Sequence, residues 1–273
     1  MMQATLRDSI RFDGVGLHTG EQSAVELRPA PAGTGLVFVL GTTRVPATVE
    51  YVVDTSRATV LGRDGKSVST TEHLLSALFA LGVTNAEIAV DGPEIPARDG
   101  SSAEFVRDVL ACGIEIQALA RDTLVLDEPV YVRSGDRVVA ALPSEEFAVR
   151  FVADFPPPIG TQYFYDRVDP QRYCDDIAAA RTFGYLHEVE ALRSRGLALG
   201  ATLDNALVFA PDGPMQPLRW PNEAVRHKVL DLIGDLALLG AWPQCEIVAV
   251  KSGHELHASA TRALRERLHA VSV

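Results

Sequence analysis

Apolar residues Val225, Val229, Leu232, Ile233 and Leu236 recur at helical spacing through NEAVRHKVLDLIGDLALLG, Asn222 to Gly240. That period predicts a helix with one face in a core. A second Leu-rich helix is predicted in SVSTTEHLLSALFALG, with Leu74, Leu75, Leu78 and Leu81 buried, Ser69 or Thr70 as its cap and Gly82 at its end. Between and around these helices the pattern alternates, as strands with one covered face do. The expected strands are Thr5 to Phe12 paired with Ser23 to Leu27, then Leu36 to Leu40, Arg57 to Leu61 and Asn85 to Val90. After Gln117 four antiparallel strands are expected: Thr123 to Leu126, Val130 to Arg133, Arg137 to Leu142 and Phe147 to Asp154. Ser101 and Glu104 read as a capping box for a helix from Ala103 to Cys112. Further helices are expected over Tyr173 to Ala180, His187 to Arg195 and Glu255 to His269, the last with a solvated face of i,i+4 pairs. Ala206 to Phe209 and Glu246 to Val250 complete the strands.

The pattern repeats. His73 opens a Leu-rich helix that ends at Gly82 and is followed by AEIAV. His227 opens one that ends at Gly240 and is followed by CEIVAV. Antiparallel strands precede each block, and a loop and another helix follow it. The repeat implies two α+β domains of similar topology, residues 1–118 and 119–273, each with helices on one face of its sheet. A pseudo-twofold would bring His73 and His227 together in the cleft between them, a favoured place for active sites.

Composition narrows the function. The chain of 273 residues is 47% hydrophobic, enough for a large core, and its net charge of −11 excludes a general nucleic-acid binder. Cys112, Cys174 and Cys245 form no CxxC pair and suit buried thiols in a reducing compartment. Met1 to Phe12 is polar, and no apolar run reaches the ~20 residues of a membrane span. The expectation is a cytoplasmic protein with no stable membrane insertion.

The polar residues of the two helices then group. His227, Asp231 and Asp235 fall at i, i+4 and i+8 on one helix side, and His227 and Asp231 can share one metal ion. With His73 they make a His₂Asp set that leaves a fourth position open, the catalytic pattern for Zn²⁺. Glu72, next to a ligand, suits a general base. His254, in a flexible SGH loop, suits an acid, and Asp235 suits the partner that keeps a histidine charged. Lys228 and Lys251 suit phosphates. His18, central in the loop GVGLHTG, has no assigned step. His187, His257 and His269 are expected at the surface, and Trp220 and Trp242 in packing.

The blocks GVGLHTG, STTEHLLSAL, PEIPARDGSS, ARTFGY, SRGLALG, LDNALVF, VRHKVLDLIGDLALLG and KSGH together resemble the UDP-3-O-acyl-N-acetylglucosamine deacetylase family. They stand in that family's order over nearly the whole chain. The resemblance implies two layered β-α-α-β domains with the active site between them, and deacetylation of an acylated UDP-sugar on the way to lipid A. It implies His73, His227 and Asp231 as zinc ligands, Glu72 as base, and His254 as acid with Asp235 as its partner. It further implies Thr182 as an oxyanion donor, Phe183 against the sugar or acyl group, Lys228 at the diphosphate, and a β-α-β insert around 182–209 that lines an acyl passage. In that insert Leu186, Val189 and Leu192 form a stripe, followed by Leu197, Leu199, Gly200 and Leu203; Gly200 is expected to give the acyl chain room. A monomer with transient membrane-surface contact completes the expectation. Departures fall at Thr84, Pro157, Pro221, Asn222, Glu255 and His257, and put substrate affinity in question. The rival readings are a zinc amidohydrolase for another N-acetylated sugar nucleotide, and a non-catalytic binder of a sugar nucleotide or lipid.

Overall fold

A computed structural model describes residues 1–271. The first half is a five-stranded sheet of β1 (Ile10–Val15), β2 (Gln22–Pro29), β3 (Leu36–Leu40), β4 (Thr43–Pro46) and β5 (Ala86–Asp91), with α1 (Glu72–Ala80) and α2 (Ala103–Cys112). Burial alternates along these strands. In β2, Ser23, Val25 and Leu27 face the core while Ala24, Glu26 and Arg28 face outward, as a sheet covered on one side requires. The second half comprises β6 (Val130–Ser134), β7 (Arg137–Pro143), β8 (Ala148–Asp154), β9 (Thr161–Arg167), α3 (Glu223–Leu236), β10 (Trp242–Val250) and α4 (His254–Val271).

The spatial orders are β1-β2-β5-β3-β4 and β6-β7-β10-β8-β9. Within these two runs of five strands, the only parallel pairs are β3 with β5 and β8 with β10. The two halves therefore share one topology, as the sequence repeat implies. Each half also carries a three-stranded insert between its fourth strand and its central helix. The first is Val52–Asp54, Val60–Arg63 and Lys66–Val68; the second is Phe183–Tyr185, Leu207–Ala210 and Gly213–Pro214. In the second, the short helix Val189–Arg193 joins two parallel strands.

α1 and α3 pack on each other at the centre of one continuous core. Every residue of α1 is buried, the polar Glu72 and His73 included. The helices approach closely at Gly234, where an added Cβ would stand 2.1 Å from the Glu72 carbonyl oxygen. Only glycine permits that approach, and it sets Glu72 beside Asp231 and Asp235.

Several expectations are corrected. Thr5 to Phe12 is not one strand. Exposed Arg7, Asp8 and Ser9 break it, with the Ser9 N–H donating to Asp8 Oδ1 at 2.7 Å. Met2–Leu6 pairs instead with Ile114–Ala120, which runs across the expected boundary at 118. Thr123–Val125 lies parallel, not antiparallel, to β10. The expected helix caps are taken by other side chains, local for Ser101 and Glu104 and distant in sequence for Thr70. Thr70 donates to Glu94 at 2.7 Å, Ser101 to Asp99 at 2.7 Å, and Glu104 takes Arg98 at 2.7 Å, so no capping box forms. The helix expected over Tyr173 to Ala180 is Pro170–Asp176, because Asp169 caps it and Pro170 sits at its first position. His187 to Arg195 yields a 3₁₀ turn and then only Val189–Arg193. Arg265 and Arg267 on α4 reach Glu50 and Glu128 rather than i,i+4 partners. Of the cysteines only Cys245 is fully buried. The His269 side chain lies outside the described residues.

Candidate active site

His73 in the first turn of α1 meets His227 and Asp231 on α3, one turn apart. Asp231 Oδ1 stands 3.6 Å from His73 Nε2 and 3.4 Å from His227 Nε2. The two rings sit edge to face with centroids 5.0 Å apart. Ordinary hydrogen bonds are shorter, and this buried Oδ1 has no hydrogen-bond partner. Donors about 2.0–2.2 Å from one tetrahedral ion stand roughly 3.3–3.6 Å apart, so the spacing fits a shared metal. The outer contacts fit too. His227 Nδ1 lies 3.0 Å from the Ala180 carbonyl; a carbonyl only accepts, so Nδ1 carries the proton and Nε2 offers its lone pair. Burial pushes the His227 pKa down to about 4, which keeps it neutral as a ligand must be. The other Asp231 oxygen accepts from Lys228 Nζ at 2.6 Å. These three residues can hold a metal ion.

Glu72 and His254 flank this set, with Glu72 Oε1 3.8 Å from His254 Nε2. Burial pushes the Glu72 carboxyl above its ordinary range, as a general base near neutral pH requires. His254 is not in a loop but is the first residue of α4. Its Nδ1 donates to Asp235 Oδ2 at 2.8 Å. Burial alone would lower its pKa, but the charge and hydrogen bond of Asp235, then Glu72 and Asp231, raise it to about 9. Burial likewise opposes ionisation of Asp235, yet the two histidines on it hold its pKa at about 2.

Two partners of this pair escape a reading of the sequence. His257, expected at the surface, is fully buried; its Nδ1 lies 2.8 Å from the same Asp235 Oδ2, and its Nε2 2.9 Å from Ser252 Oγ. The signal was present, since His257 stands at i+3 from His254 and faces the same side. Thr59, in the first insert, donates its hydroxyl to Asp235 Oδ1 and its N–H to Glu72 Oε2 at 3.0 Å. It ties the base of one half to the acid of the other, across 176 residues of sequence, and no local pattern marks it. Thr59→Val keeps the N–H and the shape but removes the hydroxyl. It is expected to lower kcat ~10–10²-fold with KM little changed, the worth of one hydrogen bond to a charged group. Thr59→Ser should restore the rate, and steady-state kinetics of the two variants check this.

A cavity of about 760 Å³ opens over the site. Thr182, Phe183, Lys228 and His18 line it. The Arg181 guanidinium binds Glu223 at 2.9 Å and the Thr182 N–H donates to the Gly100 carbonyl at 2.7 Å, which together fix the ARTFG strand. Phe183 packs edge-on against His227, centroids 6.1 Å apart. Glu94, fully buried, accepts from the His18 and Thr19 amides and from both Thr19 and Thr70 hydroxyls, and so holds the GVGLHTG loop against the cavity. Val189, Leu192, Ala198, Ala201, Leu207 and Val208 bring the insert to the same wall. Gly200 does not line it. Its backbone N–H donates to the Leu17 carbonyl, and a Cβ there would meet the Gly16 oxygen at 2.1 Å. Leu186, Leu199 and Leu203 are exposed; Leu186 precedes the helix expected to carry it, which spans only Val189–Arg193. Lys251 is engaged elsewhere, bridging Asp136 at 3.1 Å and Asp154 at 2.9 Å.

The model of a family described as UDP-3-O-acyl N-acetylglycosamine deacetylase matches residues 3–266. Relatives named UDP-3-O-acyl-N-acetylglucosamine deacetylase include one from Geotalea uraniireducens, 43% identical over 93% of this chain and 85% of its own length. One from Nostoc sp. is 42% identical over the whole of both chains, and one from Leptospira biflexa is 40% identical over 97% of this chain and 90% of its own. On the match to the family and on these identities, the chain belongs to the UDP-3-O-acyl N-acetylglycosamine deacetylase family.

Proposed function

We propose that the protein hydrolyses the acetamide of a UDP-3-O-acyl-N-acetylglucosamine to acetate and the free 2-amine, the committed step of lipid A biosynthesis, with zinc as its metal. The observation that carries this reading is the buried, unpartnered Asp231 Oδ1 facing two imidazole nitrogens, with a base and a charged acid beside it. A non-catalytic binder has no use for a raised carboxyl next to a metal set. A zinc ion held by His73, His227 and Asp231 would supply a Lewis acid and lower the pKa of a water it binds.

The chain's own residues perform the rest. Glu72 takes the proton of the attacking water. The Thr182 hydroxyl donates to the oxyanion that develops on the acetamide oxygen. His254, charged through Asp235, gives its proton to the departing nitrogen, since an amine leaves poorly as an anion. Lys228 offers its charge to the diphosphate, and Phe183 packs against the sugar or acyl group. This reading divides the chain into two α+β halves at residues 118 and 119, within the strand Ile114–Ala120 that pairs with Met2–Leu6. The same reading makes the protein a cytoplasmic monomer that meets its acylated substrate by transient membrane-surface contact. No described helix is long and apolar enough to cross a membrane.

The experiment is turnover of matched substrates. Each methylene buried along Val189, Leu192 and Leu207 is worth about 0.8 kcal/mol, and that energy can be used to position the acetamide. UDP-N-acetylglucosamine lacking the 3-O-acyl group is expected to show kcat/KM at least ~10²-fold lower. Ala201→Trp, at the cavity wall, should harm a long-chain substrate more than a short-chain one. Equal turnover with and without the acyl group would assign the protein to another sugar-nucleotide deacetylation.

A further inference from the structure

At the opposite end of α1 from Glu72 a second cavity of about 760 Å³ opens, with Leu81, Ile116, Phe147 and Trp242 in its walls. Arg121 stands in it. Its guanidinium carbon lies 4.2 Å from the Trp242 ring centroid and 5.5 Å from that of Phe79. The other cationic side chains of the cavity are paired: Arg167 with Glu146 at 2.8 Å and Arg172 with Asp166 at 2.6 Å. Among the described residues, none forms an ion pair or a side-chain hydrogen bond with the Arg121 guanidinium. Burial is the one influence on its pKa, lowering it to about 10, so the group stays charged at neutral pH while partly withdrawn from water.

A guanidinium presents five N–H donors at its edge, and the aromatic rings occupy only its faces. A desolvated cation without an anion is costly, and an anionic ligand relieves that cost. Leu81, Ile114, Ile116, Phe147 and Trp242 supply apolar wall beside it, so the ligand's body is apolar as well. Glu145, Glu146 and Asp169 also line the cavity, and they disfavour a dianion. We infer that this cavity binds an amphiphilic monoanion, its carboxylate on the Arg121 guanidinium and its hydrocarbon chain along Trp242, Phe147 and Ile116. The site is separate from the active-site cavity and the inference does not depend on the proposed reaction.

The test uses the full chain carrying Trp220→Phe, which keeps a ring beneath Arg226 and leaves Trp242 as the sole tryptophan. Dodecanoate, dodecanol and dodecyl phosphate are titrated below their aggregation limits while Trp242 emission is followed. Occupancy of the active-site cavity alone does not touch Trp242, which lines only the second cavity. Dodecanoate is expected to change the emission with a half-saturating concentration at least ~10-fold below that of dodecanol, as a charge-assisted pair implies. Arg121→Gln should abolish that preference and Arg121→Lys should retain most of it. Equal binding of acid and alcohol by the unaltered Arg121 protein overturns the inference, as does a preference that survives in Arg121→Gln or an emission insensitive to dodecanoate. Tighter binding of dodecyl phosphate than of dodecanoate overturns the choice of a monoanion.

Discussion

Asp231→Ala is expected to cost the protein both its metal and its activity. The carboxylate is the one donor facing both imidazoles, at 3.6 and 3.4 Å. Two neutral histidines alone make a weak site, because the third donor supplies the negative charge. Bound zinc should fall from about one per chain to less than ~0.1, and kcat/KM by at least ~10³-fold, the scale of a lost Lewis acid. The substitution also strips Lys228 of its 2.6 Å partner, so thermal unfolding must be compared with that of the chelated wild type. If both melt alike and only the variant fails to regain activity on adding zinc, the loss is one of metal binding. A variant that keeps its zinc and its turnover would exclude Asp231 as a ligand. Glu72→Ala provides the contrast: it should retain zinc while kcat falls ~10²–10⁴-fold.

Much of this site was legible because its residues follow local rules. His227, Asp231 and Asp235 sit on one side of a helix whose apolar period is clear, and the His73 and His227 blocks repeat with the same sequence of elements around them. The repeat anticipated the shared topology of the two sheets. Strand ends and helix caps were less legible, because other side chains, near and far in sequence, compete for them. Thr70, Ser101 and Glu104 each have the side chain of a cap, but Ser101 and Glu104 are taken by Asp99 and Arg98 of the preceding loop and Thr70 by Glu94, which packing brings near. Thr59 was invisible for a related reason: its two partners belong to α1 and α3, and its role exists only once the halves are assembled. His257 was misread because polarity alone suggested the surface, whereas its two ring nitrogens are satisfied by Asp235 and Ser252 in the interior. Gly200 was misread in the other direction. Its lack of a side chain serves a close backbone approach to Gly16, not space for a ligand.

The pH profile of kcat/KM is expected to hold on its alkaline side up to about 9 and then fall. The acid must be protonated to serve the leaving amine, and His254 is held charged to about 9. Its folded pKa lies above the ordinary value of about 6.5, so the active form is fully present below that value and is lost as pH rises through 9. Asp235 is the main source of the upward shift, set against burial. Asp235→Asn removes its negative charge and leaves burial to dominate, so the alkaline limb should move down by at least about one pH unit, with a loss of rate at pH 8 of ~10-fold or more. His257 does not substitute as the charged group, because burial lowers its pKa and keeps it neutral. His254→Ala should abolish the limb and reduce kcat by ~10²–10⁴-fold while zinc stays bound. Three profiles, wild type, Asp235→Asn and His254→Ala, measured with metal content at each end of the range, separate this from pH-dependent loss of metal. An alkaline limb that remains at the same pH in both variants would mean that His254 is not the acid and that its charge serves only to hold Glu72 and Asp231 in place.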